Sequence, residues 1–379
     1  MVLKRRTHHT HIITIAIRRM SLTINNSSDR SGHISTVPLP FTVDHAAKAI
    51  FRMPGSRRRI LILGVGSLAQ GLSQVLLSRS KMFTDLVGLI AQDNTQVGGE
   101  LVGTKIVGTM DQLRSVVERD RIDTIAVCLE DRRAVLPVQV LLDLKGMGIN
   151  IWDGHHLFEE ESGRLPIDDF KPSAIIFSRE FRQGIVVRTV KRTMDFILSL
   201  IGIVVALPLV AVIATLIKLD SPGPVFYRQV RVGLRARPYM IWKFRSMFID
   251  AEKEGARWAS EVDSRVSRVG WYLRKWRLDE IPQLINVIQG EMSLVGPRPE
   301  RPVFVQELRS AIPYYDLRHT VRPGITGWAQ TQFHYGASTE DSHVKLQYDL
   351  YYVKYLSIQL DARILIETIR VILLGEGAR

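Results

Sequence analysis

Alternating strand-like and helix-like segments over residues 57–155, an uncharged apolar run at residues 196–217 and an acid-headed amphipathic segment beyond it predict an α/β chain in two parts. The first part reads as a Rossmann-like module. The second reads as a monotopic membrane domain with a re-entrant helix and amphipathic helices. At 379 residues with 46% hydrophobic side chains, the chain is long enough to bury two or three cores.

The elements follow in order. Residues 1–59 hold eleven Lys/Arg against two Asp, without sustained periodicity, so residues 1–56 read as a disordered basic tail. His8, His9 and His11 lie there with no further ligand at recognisable metal spacing, and the apolar run Ile12–Ile17 is too short for a secretory core. Residues 60–64, ILILG, lead straight into Gly64-Val65-Gly66-Ser67-Leu68-Ala69, the pattern of strand, tight turn and helix. Gly64, Gly66 and Ala69 fit a dinucleotide fingerprint, and Asp93 stands where it could meet a ribose. Two readings stay open: a nucleotide held at the module, or a module that binds nothing and serves as a structural or oligomerisation unit, pairing two copies as a homodimer. Apolar segments at Leu86–Ala91, Thr124–Leu129 and Ile149–Ile151 alternate with helix-like stretches near 111–119 and 135–146, which sets the module at 57–155. The stretch EEESGRLPIDD then reads as a loop, so residues 156–187 are expected to be a linker. Cys128 is the sole cysteine, which excludes intrachain disulfides and a cysteine-based zinc site.

The run FILSLIGIVVALPLVAVIATLI, residues 196–217, is long enough to enter a bilayer. Pro208 falls near its middle and disfavours a straight helix. Arg188, Lys191 and Arg192 precede it, and Lys218, Arg228 and Arg231 follow it. Cations favour the cytoplasmic side at both ends. A re-entrant helix-break-helix that enters and leaves on the cytoplasmic face satisfies both flanks.

Beyond it, Ile281, Leu284, Ile285 and Ile288 follow helical spacing, Pro282 suits the first turn and Gly290 the stop. Asp279 and Glu280 then head that helix, where backbone N–H groups favour anions. Taken alone this is how an ordinary acidic first turn reads. Its surroundings add Lys243, Arg245, Arg274 and, within Val295-Gly296-Pro297-Arg298-Pro299, Arg298, whose direction the prolines restrict. Arginine forks match phosphate oxygens, and two adjacent carboxylates among cations suit phosphoryl chemistry, one as nucleophile and one as metal ligand. A surface salt-bridge network is the generic alternative.

The succession Lys191-Arg192-Thr193-Met194-Asp195, Asp220-Ser221-Pro222-Gly223-Pro224-Val225, Lys243-Phe244-Arg245-Ser246-Met247, Leu278-Asp279-Glu280-Ile281-Pro282-Gln283-Leu284, Gly290 to Pro299 and Arg322-Pro323-Gly324-Ile325-Thr326-Gly327-Trp328-Ala329-Gln330 resembles the bacterial sugar transferases. These are monotopic polyprenyl-phosphate sugar-1-phosphate transferases, and the resemblance covers residues 188–379, the expected catalytic domain. It implies that Asp279 attacks the sugar-bearing phosphorus of a UDP-sugar, releasing UMP, before undecaprenyl phosphate takes the sugar phosphate to initiate an exopolysaccharide or related glycan. It further implies Glu280 as ligand of Mg²⁺, with Lys243, Arg274 and Arg298 at the phosphates and membrane lipid around the helix. A proline matching Pro208 breaks that helix in the family; many relatives carry Ser before it, where this chain has Leu207. Larger members add an N-terminal bundle of membrane helices that is not legible here, either because the true start lies elsewhere or because the form is shortened.

Rival readings fare worse. A dinucleotide-dependent epimerase could use Tyr239 and Lys243 at Tyr-x-x-x-Lys spacing, but that pair falls in the alternating strand PYMIWKFRSM after the apolar segment. A membrane-docked nucleotide-sugar sensor would not need the acidic pair. The formal charge of +13 could suggest nucleic acid, yet residues 179–250, with twelve Lys/Arg against four acids, adjoin the apolar run and suit lipid head groups and substrates, so no nucleic-acid partner is expected. In Leu360–Leu374, Ile364, Leu365, Ile369 and Ile372 share a face that fits either the membrane or the domain core.

Overall fold

A computed structural model describes residues 57–78, 84–131, 136–169, 172–177, 181, 184–252, 263–333 and 338–374. The basic tail, with His8, His9 and His11, lies outside the described residues.

The ILILG run forms β1 (Arg58–Leu63), followed by α1 (Ser67–Ser78), β2 (Thr84–Ala91), β3 (Glu100–Leu101), β4 (Thr104–Thr109), α2 (Leu113–Arg119), β5 (Thr124–Val127), α3 (Val138–Gly146), β6 (Asn150–Asp153) and α4 (Gly154–Ser162). The strands make one sheet in the order β3-β4-β2-β1-β5-β6, parallel except for the β3–β4 hairpin. Successive residues of β1 face opposite ways. Ile60 and Ile62 pack with Leu68 and Leu72 of α1 and with Leu157 and Phe158 of α4. Leu61 and Leu63 pack with Val116 of α2 and with Leu141 and Leu144 of α3. Covering both faces is what an unbroken apolar strand requires, and all four β1 residues are fully buried.

The first part of the expected linker, residues 156–169, is helix and core rather than loop. Asp153 caps α4 by accepting from His155 N at 2.9 Å, and Gly163 ends it at φ 69°. Leu165 and Ile167 then enter a second core with Val232, Leu308, Leu346 and Leu350. Two of the acidic residues that made this stretch look solvated, Glu159 and Glu161, are buried, and Glu159 Oε2 accepts from Lys354 Nζ and Tyr355 Oη, both at 2.6 Å. Trp328 Nε1 donates to Gly163 O at 2.7 Å.

After α5 (Pro172–Phe177), the apolar run lies within α6 (Ile185–Asp220), a single helix of 36 residues. The expected interruption at Pro208 is therefore corrected: the proline lies inside a continuous helix. It removes one backbone donor from the helix interior. Both ends dock on the same body. Near the start, Lys191 Nζ reaches Asp361 Oδ2 at 2.6 Å, Arg192 donates to Val287 O and Ile288 O, and Asp195 accepts from Ser293 Oγ at 2.7 Å. Near the end, Ile213 and Ile217 pack with Phe244 and Leu273. Between them Val204, Val205 and Leu207 stand exposed at 60%, 72% and 55%.

The remaining elements are the antiparallel hairpin β7 (Phe226–Val232) and β8 (Pro238–Phe244), then α7 (Arg268–Lys275), α8 (Gln283–Gln289), β9 (Ser293–Val295), α9 (Pro302–Ala311), β10 (Gly324–Thr326), α10 (Trp328–Gln332), α11 (Thr339–Tyr355) and α12 (Ile358–Leu374). In α12, Ile364 is fully buried while Ile366 and Ile369 are exposed at 68% and 58%, so this helix packs on the domain and also bears an apolar outer side.

Candidate active site

Asp279 and Glu280 occupy a short helical turn, Leu278–Glu280, that precedes α8. Arg277 enters this turn at φ 52°, a region that side-chain-bearing residues rarely adopt. Pro282 opens α8 at φ −61° and Gly290 closes it at φ 87°, where the missing Cβ relieves the left-handed conformation. Asn286, fully buried on α8, staples the helix to β8: its Oδ1 accepts from Trp242 N at 3.0 Å and its Nδ2 donates to Met240 O at 2.7 Å. Alternation along β8 puts Lys243 on the side of Ile241, next to the acidic turn.

Both carboxylates are buried. Glu280 Oε1 accepts from Arg298 Nη2 at 2.7 Å and from Lys243 Nζ at 3.0 Å, while Asp279 Oδ2 lies 3.8 Å from Lys243 Nζ. Burial by itself would raise Glu280, but Arg298 and Lys243 outweigh it and hold the carboxyl well below the usual range. At Asp279 burial prevails over Lys243, and the charge of Glu280 adds to it, so this carboxyl is pushed up. Two neighbouring carboxylates thus differ. Glu280 is bonded to two cations, while Asp279, whose Oδ2 stands 3.8 Å from Lys243 Nζ, is the less engaged carboxylate. Arg277, which sequence reading passed over, also faces both; burial, then Arg298, lowers its pKa.

The direction of Arg298 is fixed through the carbonyls of its loop. Val295 O accepts from Lys191 Nζ and Tyr352 Oη, Pro297 O from Gly324 N, Arg298 O from Arg318 Nη2 and Pro299 O from Arg231 Nη1, all between 2.8 and 3.1 Å. Arg318 is itself held by Asp349 at 2.8 Å and donates to Tyr315 Oη at 2.6 Å. The prolines of this loop are legible in the local motif, whereas Arg318 and Asp349 lie 20 or more positions downstream.

The other sequence candidates separate. Arg274, on α7, acts on Asp279 through its charge. Arg245 is not brought to the carboxylates: it is buried and its guanidinium donates to Pro222 O at 2.6 Å, Ser221 O at 2.7 Å and Ile217 O at 3.3 Å, the carbonyls where α6 ends. It ties the end of the helix to the hairpin. At the module, Gly64 turns at φ 123° after β1 and Asp93 follows the adjacent β2, both at carboxyl ends of parallel strands as a fingerprint requires. Ala69 is buried in the core. The close approach that Gly66 permits is taken by Glu130, whose carboxylate a Cβ there would strike, and Ser67 Oγ donates to Asp169.

The bacterial sugar transferase family matches residues 186–375, which is just over half of the chain and contains every element of this site. The chain belongs to the bacterial sugar transferase family. Within that family it is 50% identical over 190 residues to the UDP-N-acetylgalactosamine-undecaprenyl-phosphate N-acetylgalactosaminephosphotransferase of Aeromonas hydrophila, covering 50% of this chain and 45% of that one. It is 34% identical over 320 residues to the undecaprenyl-phosphate glucose phosphotransferase of Komagataeibacter xylinus, covering 83% and 58% respectively, a match long enough to include the module. It is 39% identical over 188 residues to the exopolysaccharide production protein PSS of Rhizobium leguminosarum bv. phaseoli, covering 47% of this chain and 92% of that one. The chain spans about half the length of the first two relatives. The sugar transferase region and the buried carboxylate turn coincide.

Proposed function

We propose that this sugar transferase moves a sugar 1-phosphate from a UDP-sugar to undecaprenyl phosphate at the cytoplasmic face of the inner membrane, an opening step of exopolysaccharide or related glycan synthesis. The observation that carries this reading is the unequal carboxylate pair, Asp279 and Glu280, buried among Lys243, Arg277 and Arg298. In the first step an oxygen of Asp279 bonds to the sugar-bearing phosphorus, the bond from that phosphorus to the bridging oxygen breaks, and the electron pair leaves with UMP. In the second, a phosphate oxygen of undecaprenyl phosphate attacks the same phosphorus and Asp279 is released, giving the lipid diphosphate sugar. Lys243, Arg274, Arg277 and Arg298 bring charge to the substrate phosphates.

Among the described residues no three His, Cys, Asp or Glu side chains gather as a metal cage. Glu280 beside Asp279 nonetheless fits Mg²⁺, which commonly takes one or two carboxylates and completes its shell with substrate phosphate and water. Glu280 would hold it, and when bound it would supply further neutralisation of the diphosphate.

The membrane reading rests on α6, whose two ends dock on one body while its middle stands exposed; this supports an apolar middle set in lipid with both ends on one face. For the module, Glu130 against Gly66 and Asp169 on Ser67 fill the surroundings of the glycine turn with carboxylates. That favours a structural unit over a nucleotide site. The test is UMP release from UDP-sugars by the full chain in detergent: repeated turnover should require polyprenyl phosphate, and continuous turnover without any acceptor would reject the two-step reading.

A further inference from the structure

A groove of about 200 Å³ starts at Arg277 and Glu280 and runs between α8 and α12. Its walls are Ile281 and Leu284 on one side, Val371 and Ile372 on the other, and Ile325 of β10. The threonines that also line it have their hydroxyls engaged elsewhere: Thr326 Oγ1 and Thr368 Oγ1 bond each other at 2.7 Å, and Thr331 Oγ1 donates to Trp328 O at 3.0 Å. Their methyl groups remain for an occupant. A sugar or a uracil would need polar partners along such a wall, and a hydrocarbon needs none. The groove also adjoins the apolar helix. Leu284 packs against Gly202 of α6, where a Cβ would come within 3.2 Å of it, so the wall of the groove continues into the face of the segment that enters the lipid.

We propose that this groove holds the first isoprene units of the lipid acceptor, with the acceptor phosphate at the Arg277 end and the rest of the chain leaving along α6. The assignment deepens the proposed function and rests on it for the identity of the acceptor. One end presents a guanidinium beside the reacting carboxylates, the middle is hydrocarbon and the far end meets the membrane helix. An amphiphilic phosphate fits that order of surfaces, while a nucleotide sugar, polar throughout, does not. Gln330 is the polar exception, its Oε1 being buried without a hydrogen-bond partner, which makes a donor occupant the competing outcome.

The test uses the full chain in detergent, with Ile372→Trp to fill the groove. Michaelis constants are measured for a polyprenyl phosphate and for a UDP-sugar, and the burst of UMP formed without acceptor is recorded separately. The proposal expects the acceptor KM to rise about tenfold or more, as loss of one apolar contact surface allows, with the donor KM much less affected. A rise confined to the donor KM, or no change in either, would overturn it. A second measurement on the unmodified chain does not depend on the folding of a variant: a polyprenyl phosphate carrying a diazirine on its second isoprene should label peptides containing Ile325 or Ile372. Labelling confined to other peptides would also overturn the proposal. If no UDP-sugar releases UMP while the groove is still labelled, the reaction assignment fails and the lipid site stands.

Discussion

Removing residues 1–183 should cripple the sugar transferase region even though its carboxylates and cations all lie later in the chain. Leu165 and Ile167 are 1% and 2% exposed in a core they share with Leu346 and Leu350, so their loss removes roughly 3–6 kcal/mol of apolar burial in total. Trp328 would keep a buried Nε1–H without Gly163 O, which costs about 1–3 kcal/mol more. Lys354 and Tyr355 would lose Glu159 as well. Because a domain is typically stable by about 5–15 kcal/mol, these losses are comparable with the whole. A truncated chain starting at Gly163 keeps the carbonyl, Leu165 and Ile167, and should recover most of the difference. Urea melts in one detergent, with UMP release as the functional reading, compare the two cuts. Equal midpoints and equal activity for chains starting at 163 and 184 would refute the reasoning.

Further expectations concern separate parts of the structure. Arg245→Met should destabilise the protein by about 2 kcal/mol or more, since buried carbonyls at the end of α6 lose a charged donor, while the KM for the UDP-sugar stays within about twofold; a large rise in that KM would return Arg245 to the phosphates. Burial pushes Asp349 up to about 6 against the pull of Arg318. Because its folded pKa exceeds the unfolded one, its contribution is full below the unfolded value and is lost as pH rises through about 6, a change of about 3 kcal/mol. Melts between pH 4 and 7 should show that slope in the wild type and not in Asp349→Asn, and parallel curves would reject it. Cysteines placed near Arg188 and near Arg228 should both react with an impermeant reagent from the cytoplasmic side, whereas labelling from opposite sides would make α6 a true span.

The parts of the fold that were legible are those set by local pattern. The ILILG run gave β1 because burial on both faces leaves no room for polar residues, and Pro282 and Gly290 bracketed α8 because their backbone preferences act within one turn. The β3–β4 hairpin was not legible: its two-residue turn, Val102-Gly103, puts Val102 at φ 51°, where a β-branched side chain gives no turn signal. The segment 156–169 was misjudged for a different reason. Its Glu and Asp residues looked solvated, and the partners that bury Glu159 come from α11, almost 200 positions later. At the site, motif order located Asp279, Glu280, Lys243 and Arg298. It could not distinguish Arg245, which faces backbone carbonyls, from Lys243, two positions earlier, which faces Glu280.

Under the proposed reaction Asp279 carries the phosphosugar and Glu280 does not. Incubating the full chain with UDP-sugar and Mg²⁺, without polyprenyl phosphate, and measuring intact mass and UMP together tests it most directly. At most about one UMP per site should appear, the protein should gain a phosphosugar, and that mass should map to the peptide containing Asp279, since a covalent intermediate halts without its acceptor. Asp279→Asn should show neither the burst nor the adduct while retaining its melting behaviour. An adduct on Glu280, or steady UMP release by Asp279→Asn, would rule out Asp279 as the nucleophile.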